Sequence, residues 1–446
     1  MTALSAPAAE AWFNELADAT TQIAAGGEVV LVSIDAEQSD FVRFNGGRVR
    51  QPGSVTQRTA RICLIDRDRQ AIADFVLHGD DGDRERMRSA AKEARGLLVD
   101  VPPDPHILYS TTVRSSSSQR SGHWPEATRL VSSIVDQAQS LDLVGILSAG
   151  TLYRGFANSL GQRNWHAVDS FNFDWSLHDR ADKAVKARYA GFEWDPAIFA
   201  TKLQDSVQQL DLVKRSSRRI DPGEYRAYLA PQAVDEIIGL IGWGGFSAHA
   251  MKTKWSPLLR MEQAERLSER ITMVENTLAG MAPPFQDGGF TKPDQIPLIS
   301  HGALDALLVS PRTAMEFNLT TNGAGASEMP ESLDLQAGSL ALTDVLGQLD
   351  TGVYINNLWY LNYSDRSAAR MTGMTRFASF WVERGRIVAP IDVMRFDDTL
   401  YRMFGANLID LTRERELLLD PSTYDARSTS SARLPGMLLK ALRFTL

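Results

Sequence analysis

The residues that could bind a catalytic metal are scattered along this sequence. A catalytic zinc needs three protein ligands and one open position. The sequence has seven histidines, no two of them within one helical turn, and no H-E-x-x-H motif. They are His78, His106, His123, His166, His178, His249 and His301. Ligands from distant parts of the chain could still converge, but no local pattern predicts it. We therefore expect no metal ligands and no catalytic residues here.

Two candidate nucleophiles have simple structural explanations. Ser247 and His249 are two residues apart and would share a face of a strand, but no G-x-S-x-G motif surrounds either of them. Cys63 lies in an alternating apolar segment, where a free cysteine usually packs as a small apolar side chain. A single cysteine cannot form an internal disulfide, which favours a reducing, cytoplasmic location.

Aromatic residues and arginines alternate between residues 356 and 403. The set comprises Trp359, Tyr360, Tyr363, Phe377, Phe380, Trp381, Arg366, Arg370, Arg376 and Arg395. Such a pattern can stack nucleic-acid bases, but it also fits an antiparallel sheet with one aromatic face and one charged face. The net charge of −8 opposes binding to duplex DNA. We therefore favour the sheet over a nucleic-acid partner.

The elements that must position these residues differ between the two halves of the chain. In the first half, strands are predicted over 29–34, 58–65, 71–77 and 165–177, a hairpin with an Asn45-Gly46 turn over 41–50, and a strand, turn and strand over 142–160. Helices are predicted over 83–98, over 126–141 and from Asp195-Pro196 onward. These segments indicate βα units around an antiparallel sheet.

The second half is rich in short β-like segments. Helices are predicted over 231–242 and 261–269, and strands over 352–363, 372–383 and 386–396, with Gly385 in the hairpin turn. The basic run 214–219 marks the expected boundary between an N-terminal domain, 1–218, and a β-rich C-terminal domain, 219–446. The fold class is thus predicted as α+β. The most apolar stretch, 237–246, is shorter than the roughly 20 residues that span a bilayer, so we expect no membrane partner.

Four blocks of sequence, in the right order over nearly the whole chain, resemble the TldD/PmbA family, once called modulators of DNA gyrase. The strongest is TGMTRFASFWVERGRIVAPIDVMRFDDTLYRMFG, which is similar to the C-terminal segment of that family. The others are FVRFNGGRVR with TARICLIDRDRQAIADF, IDPGEY with YLAP, and Phe246-Ser247 with Ser256-Pro257-Leu258. The GMTR and MRFDD segments differ from the commonest sequence of the family at these positions.

The resemblance also implies which kind of subunit this chain is. TldD-kind subunits carry H-E-x-x-x-H on the helix after the P-G-x-Y entry and a cysteine near the C-terminus, and these bind a metal. Here that helix reads PQAVDEIIGLIGWGGF, and neither a histidine there nor a C-terminal cysteine is present. This pattern implies a metal-free PmbA/TldE-type subunit. We expect Ile237, Ile238, Leu240, Ile241 and Trp243 to fill the place of the metal site.

The function that the resemblance implies is that of the non-catalytic subunit of a heterodimeric metallopeptidase. A TldD-like partner would hold the zinc, and the pair would cleave unfolded peptides or peptide precursors. The alternative is a regulatory binding protein without proteolysis. Candidate contacts to substrate or partner are Thr372, Gly373, Arg376 and Arg395. Arg376 could instead pair with Asp365 or Asp397 within this chain.

Overall fold

The first half of the chain alternates helices and strands around one sheet. The structure, a computed structural model, describes residues 6–179 and 184–445. The elements are α1 (Ala6–Thr21), β1 (Val29–Asn45), β2 (Arg48–Asp66), β3 (Arg69–Val76), α2 (Asp83–Leu97), β4 (Ser116–Arg120), α3 (Ala127–Gln137), β5 (Leu143–Asn158), β6 (Arg163–His178), β7 (Ala184–Gly191) and α4 (Pro196–Val213). The Asp195 carboxylate accepts hydrogen bonds from the amides of Ala197 and Ile198, which confirms the predicted start of α4.

These strands form a seven-stranded sheet in the order β3-β2-β1-β5-β6-β4, with β7 paired to another stretch of β6. Among the described strands of this sheet, β4–β6 is the one parallel pair. The β1–β2 hairpin turns at Gly46 and Gly47, whose φ angles are +59° and +67°, so the turn lies one residue beyond the predicted Asn45-Gly46.

The turn predicted within 142–160 is wrong, because β5 is one continuous strand. Gly150, in the middle part of this strand, lies opposite Ser39 of β1. A Cβ atom at this position would be 2.1 Å from the Gln38 carbonyl oxygen. The glycine therefore allows two strands to approach closely and does not reverse the chain.

The second half forms a larger sheet from short strands. Its elements are β8 (Gly223–Leu229), α5 (Pro231–Gly242), α6 (Ala248–Lys252), α7 (Leu259–Glu262), β9 (Met273–Glu275), β10 (Ile296–Ser300), β11 (Ala303–Leu304), α8 (Pro311–Phe317), β12 (Ser332–Leu335), a 3₁₀ turn (Leu342–Asp344), α9 (Val345–Leu349), β13 (Gly352–Ile355), β14 (Trp359–Asp365), β15 (Arg370–Met374), β16 (Ser379–Glu383), β17 (Arg386–Pro390), β18 (Arg395–Thr399), a π-helical turn (Arg402–Ala406), β19 (Leu408–Leu419) and β20 (Ser431–Phe444).

The thirteen-stranded sheet has the order β11-β10-β9-β12-β20-β8-β13-β16-β17, and β14, β15, β18 and β19 branch from this path. The helix predicted over 231–242 is confirmed as α5. The helix predicted over 261–269 is wrong, because α7 ends at Glu262 and Ala264 takes a left-handed φ of +67°. The three strands predicted between 352 and 396 are broken into six short ones. Gly385 does occupy the β16–β17 turn with a φ of +72°.

The fold class is α+β, as predicted. The predicted boundary at 214–219 falls between α4 and β8, so one sheet lies on each side of it; the division into two domains stays a prediction. Polar side chains join the two halves. The buried guanidinium of Arg427 donates to Ser39, Gly150 and Ser170 of the first sheet. Within the described residues, no helix combines the length and apolar character needed to cross a membrane.

Candidate functional site

Helix α5 buries its apolar face in the core of the second half. Ile237, Ile238 and Ile241 point into that core and are almost fully buried. Leu240 is only partly buried. Trp243, which we expected to fill the same place, is 50% exposed and lies outside it. The spacing of the three isoleucines at one and three residues explains their common face. Trp243 follows the last turn of the helix, where the chain has already left this face.

Two neighbouring carboxylates lie on the other side of α5. Asp235 forms an ion pair with Arg188 at 3.3 Å, and Arg188 also pairs with Asp174. Glu236 has no ion-pair partner within the described residues. Burial raises the pKa of both α5 carboxyl groups, and the charge of Asp235 raises that of Glu236 further. Both line a cleft of about 510 Å³ that the sequence patterns did not predict.

The predicted contact residues Thr372 and Arg395 lie on adjacent antiparallel strands, β15 and β18. The Thr372 hydroxyl donates to the carbonyl of Phe396 at 2.9 Å. Nε of Arg395 donates to the same hydroxyl at 2.8 Å. Thr372 therefore fixes the guanidinium of Arg395 through its Nε, and Arg395 is exposed.

Gly373 is buried between strands on both sides, β14 and β18. A Cβ atom here would lie 2.7 Å from the ring of Phe396 and 2.8 Å from Leu361. The close approach at this glycine is made by side chains of this chain. A substitution at Gly373 would therefore disturb the sheet before it could report on a partner.

Arg376 stacks on an aromatic side chain. Its guanidinium carbon lies 4.3 Å from the ring centroid of Trp359, a cation–π contact. The described residues contain no ion pair between Arg376 and Asp365 or Asp397. Asp365 accepts from Ser367 and Ala368 instead, and Asp397 pairs with Arg370.

Arg376 thereby belongs to an exposed surface that we call the β14 patch, made of Trp359, Tyr360, Thr372, Arg376 and Arg395. The rings of Trp359 and Tyr360 lie 5.4 Å apart. Tyr360 is 75% exposed and has a left-handed φ of +56°, which is unusual for a large side chain. Among the described strands, β14 pairs with β15 alone, so its outer edge has no strand partner there. Exposed Trp, Tyr and Arg are the side chains most enriched at protein interfaces.

A second candidate surface is a cleft of about 850 Å³ between the two halves. Trp243 and Trp255 stand at its rim with ring centroids 5.5 Å apart. Arg366 stacks on Trp255 at 3.4 Å and donates to the carbonyl of each tryptophan. This arginine holds two half-exposed indoles in fixed positions. The sequence placed Arg366 in the aromatic cluster but gave no signal for its two distant tryptophan partners.

The charges along this cleft largely pair with each other. Arg154 lies 2.9 Å from Asp35, Arg61 lies 4.0 Å from Asp287, and Lys292 lies 2.6 Å from Glu331. Burial raises the pKa of the Cys63 thiol to about 12, so the thiolate nucleophile is scarce at neutral pH. The cleft therefore presents apolar rings and balanced charges, without an activated cysteine.

Ser247 and His249 do not form a catalytic pair. The Ser247 hydroxyl donates to the buried carboxylate of Glu328 and accepts from the amide of Ala250, which caps α6. The ring of His249 faces Glu316, 4.0 Å away. Glu328 also accepts from the amides of His249 and Ser310, so one carboxylate serves the starts of both α6 and α8. The role of these residues is structural.

Fold and site together define an α+β protein with two sheets, a wide cleft between them and an exposed aromatic edge. A family model described as the PmbA/TldA metallopeptidase C-terminal domain matches residues 222–446, half of the chain. The chain therefore belongs to the TldD/PmbA family. No curated protein matches its sequence.

Solved structures show the same fold at low sequence identity. TldE from Thermococcus kodakarensis aligns with a TM-score of 0.76 and 14% identity over 98% of this chain and 99% of that one. A candidate modulator of a DNA gyrase from Thermotoga maritima aligns with a TM-score of 0.77 and 12% sequence identity, over 97% of this chain and 100% of that one. A candidate modulator of DNA gyrase from Bacteroides thetaiotaomicron aligns with a TM-score of 0.70 and 14% sequence identity, over 97% of each chain.

The family description implies a metal, and the residues of α5 do not fit one. The helix offers Asp235, which Arg188 already neutralises, and the single unpaired carboxylate of Glu236. Within residues 6–179 and 184–445, no group of three or more His, Cys, Asp or Glu side chains is arranged to hold an ion. Zinc sites need three or four such ligands.

Proposed function

We propose that this chain is the non-catalytic, TldE-like subunit of a two-subunit metallopeptidase. One observation carries the proposal. The chain belongs to a metallopeptidase family, yet its helix α5 buries isoleucines and provides no set of metal ligands. The TldE of Thermococcus kodakarensis, with a TM-score of 0.76, shares the fold and supports it. A TldD-like partner would supply the zinc, and we place the pair in the cytoplasm.

The substrate we propose is an unfolded peptide or the leader segment of a peptide precursor. This chain would shape the channel through which the peptide reaches the partner's metal. The cleft between the halves has the size and the mixed apolar and paired-charge lining that an extended peptide can use. Open sheet edges such as β14 could add such a peptide as a strand through main-chain hydrogen bonds.

We assign the β14 patch to contact with the partner or substrate. Its arginines, Arg376 and Arg395, can each donate to a carboxylate in a fork geometry. Trp359 and Tyr360 supply the apolar area that interface centres require. We expect a two-fold or pseudo-two-fold dimer through the second half of the chain. A strictly monomeric mass at micromolar concentration, both alone and with a TldD-like subunit, would contradict this assignment.

Reconstitution tests the proposed function. The chain is co-expressed with a TldD-like subunit that carries H-E-x-x-x-H, and the complex and each separate subunit are assayed for zinc and for peptide digestion. We expect no stoichiometric zinc in this chain alone, and digestion only by the pair. About one tightly bound zinc per isolated chain would refute the proposal.

A second candidate function is a regulatory binding protein without proteolysis. The observation that favours it is the description of the two neighbours from Thermotoga maritima and Bacteroides thetaiotaomicron as candidate gyrase modulators. Stable association with a partner but no digestion of any unfolded peptide, with zinc present in the pair, would favour this function over the first.

A further inference from the structure

The half of β2 that follows the hairpin turn is an open sheet edge. In the part of the chain that the structure describes, residues 48–57 pair with β1 alone, because β3 ends at Val76, opposite Thr59. Every side chain from Arg48 to Thr56 is exposed. An edge strand of this length presents unpaired N–H and C=O groups that can pair with another chain.

The register shows which backbone groups are free. The carbonyl of Arg58 accepts from the amide of Leu77 at 2.9 Å, so the backbone of residue 58 faces the β3 side. Because orientation alternates along a strand, residues 52, 54 and 56 face the same side beyond the end of β3. Pro52 has no N–H, which is tolerated on an outward-facing position. Ser54 and Thr56 therefore each present an N–H and a C=O that no described residue pairs with.

The same edge is basic on an otherwise acidic protein. Residues 41–57 contain three arginines and no acidic residue, whereas the whole chain has a net charge of −8. Arg43, Arg48 and Arg50 are exposed. None of them forms an ion pair with a carboxylate in the described parts of the chain. A second copy of this edge would bring the same three arginines, and the exposed carboxylate of Asp40 beside the edge already accepts a hydrogen bond from the Ser54 hydroxyl.

We propose that the open edge of β2, residues 48–57, binds an extended acidic peptide as an added strand. The free groups of Ser54 and Thr56 would bond its main chain, and Arg48 and Arg50 would bind carboxylates near one end of it. This inference rests on the proposed function and narrows its substrate class to peptides in which acidic residues flank a β-forming stretch.

Binding of labelled peptides to the full chain alone, followed by fluorescence anisotropy, tests the proposal. Three ten-residue peptides share a Thr/Val stretch and end in four Glu, four Gln or four Lys residues. We expect the Glu peptide to bind at least tenfold more tightly than the Gln peptide, with a preference that shrinks in high salt because exposed charges are screened. The Lys peptide should bind weakest.

Two pairs of variants localise the binding. Arg48→Glu with Arg50→Glu should abolish the preference for Glu, whereas Arg88→Glu with Lys92→Glu, the same charge change on the exposed face of α2, should preserve it. Thr56→Pro removes an outward N–H without touching the β1 side and should weaken all peptides about tenfold. Thr56→Ala is its control. Melting curves confirm that each variant is folded, and Arg48→Gln with Arg50→Gln provides a milder pair.

Equal binding of the Glu and Gln peptides, or equal binding by Thr56→Pro and Thr56→Ala, would overturn the proposal. So would a self-association of the chain that Thr56→Pro abolishes, because the occupant would then be a second copy. The assay uses this chain alone. Digestion by a reconstituted pair with no peptide binding here would sink this inference and leave the proposed function intact.

Discussion

The two sheets of this protein are built differently. In the first sheet, β1, β2, β5 and β6 are 16 to 19 residues long, and β1–β5 and β5–β6 pair without a register shift. In the second, most strands have five residues or fewer, and bulges interrupt many of the pairs. The first sheet uses its buried polar residues to hold the other half of the chain. The second leaves aromatic side chains exposed on β14.

This difference teaches where stability and recognition are located. Long unbroken pairing satisfies the backbone and leaves few groups for outside partners, apart from the open end of β2. Short strands joined by irregular loops expose backbone and side chains in fixed positions, as binding surfaces require. We therefore expect substitutions in the first sheet to change stability and substitutions in the β14 patch to change association.

The largest effect should come from Arg427, which inserts from the second half into the first sheet. The residue is 5% exposed, and its guanidinium donates to Ser39, Gly150 and Ser170. Its backbone amide donates to Glu37. Burial lowers its pKa to about 10, so the group stays charged at neutral pH. Arg427→Ala removes the hydrogen bonds of the guanidinium and its positive charge near the buried Glu37 carboxylate, while the backbone amide can still donate to Glu37. We expect a loss of about 3 to 5 kcal/mol in unfolding free energy, measured by urea denaturation.

The matched control for Arg427 is Arg413, an exposed arginine of β19 whose one described side-chain hydrogen bond is to the Ser339 carbonyl. Arg413→Ala should change the unfolding free energy by less than about 0.5 kcal/mol. Similar losses for the two variants would show that Arg427 is not a special link between the halves, and the proposed contrast between the sheets would weaken.

The same contrast explains what the sequence could predict. Alternating apolar residues over 165–177 predicted the long strand β6, and Asn45-Gly46 predicted the β1–β2 hairpin, because regular pairing follows local patterns. The breaks between β13 and β14 and between β15 and β16 depend on distant partners: Asn356 donates to the carbonyl of Lys186, 170 residues away. The clamp of Arg366 on Trp243 and Trp255 likewise joins residues more than 100 positions apart. Long-range contacts of this kind leave no local sequence pattern.

Substitution of Glu275 in the second sheet should have a smaller effect on the unfolding free energy, and this effect should depend on pH. This carboxyl is 4% exposed. Burial raises its pKa to about 7, and the charge of Glu331 raises it further, against hydrogen bonds from the amides of Ser332 and Glu331. A folded pKa above the ordinary value of 4.5 means that the native state binds this proton more tightly than the unfolded chain. The stabilisation of the fold that comes from binding this proton is therefore fully present below about pH 4.5 and is lost as the pH rises to about 7.

Glu275→Gln keeps an acceptor for both amides and removes the charge. We expect the variant to be more stable than the parent by about 1 to 3 kcal/mol at pH 8 and to lose this advantage toward pH 4.5. Urea denaturation across this pH range measures the difference. Glu269→Gln, at an exposed acid with no ion-pair partner in the described chain, should follow the parent profile. If the stability of Glu275→Gln also runs parallel to that of the parent across this pH range, the prediction is contradicted.

The smallest effect on stability should come from Arg376, whose contact in this chain is a cation–π stack on the partly exposed ring of Trp359. Exposed contacts of this type contribute about 0.5 to 1 kcal/mol, so Arg376→Ala should leave the melting temperature nearly unchanged. If the guanidinium binds a carboxylate of the substrate or partner, the same change should lower peptide turnover by the reconstituted pair about tenfold, since a lost charge-assisted hydrogen bond costs about 1.5 to 3 kcal/mol.

Measuring both quantities on one preparation separates the two roles of Arg376. Arg376→Lys keeps the charge but loses the planar fork, so it should recover only part of the turnover. The control Arg386→Ala removes an exposed arginine from β17, outside the β14 patch, and should change neither quantity. The ion pairs with Asp365 and Asp397 that could have given Arg376 a purely internal role are absent from the described residues, because Asp397 pairs with Arg370. A clear melting loss with normal turnover would therefore remove Arg376 from the site and reduce its stack on Trp359 to a structural contact.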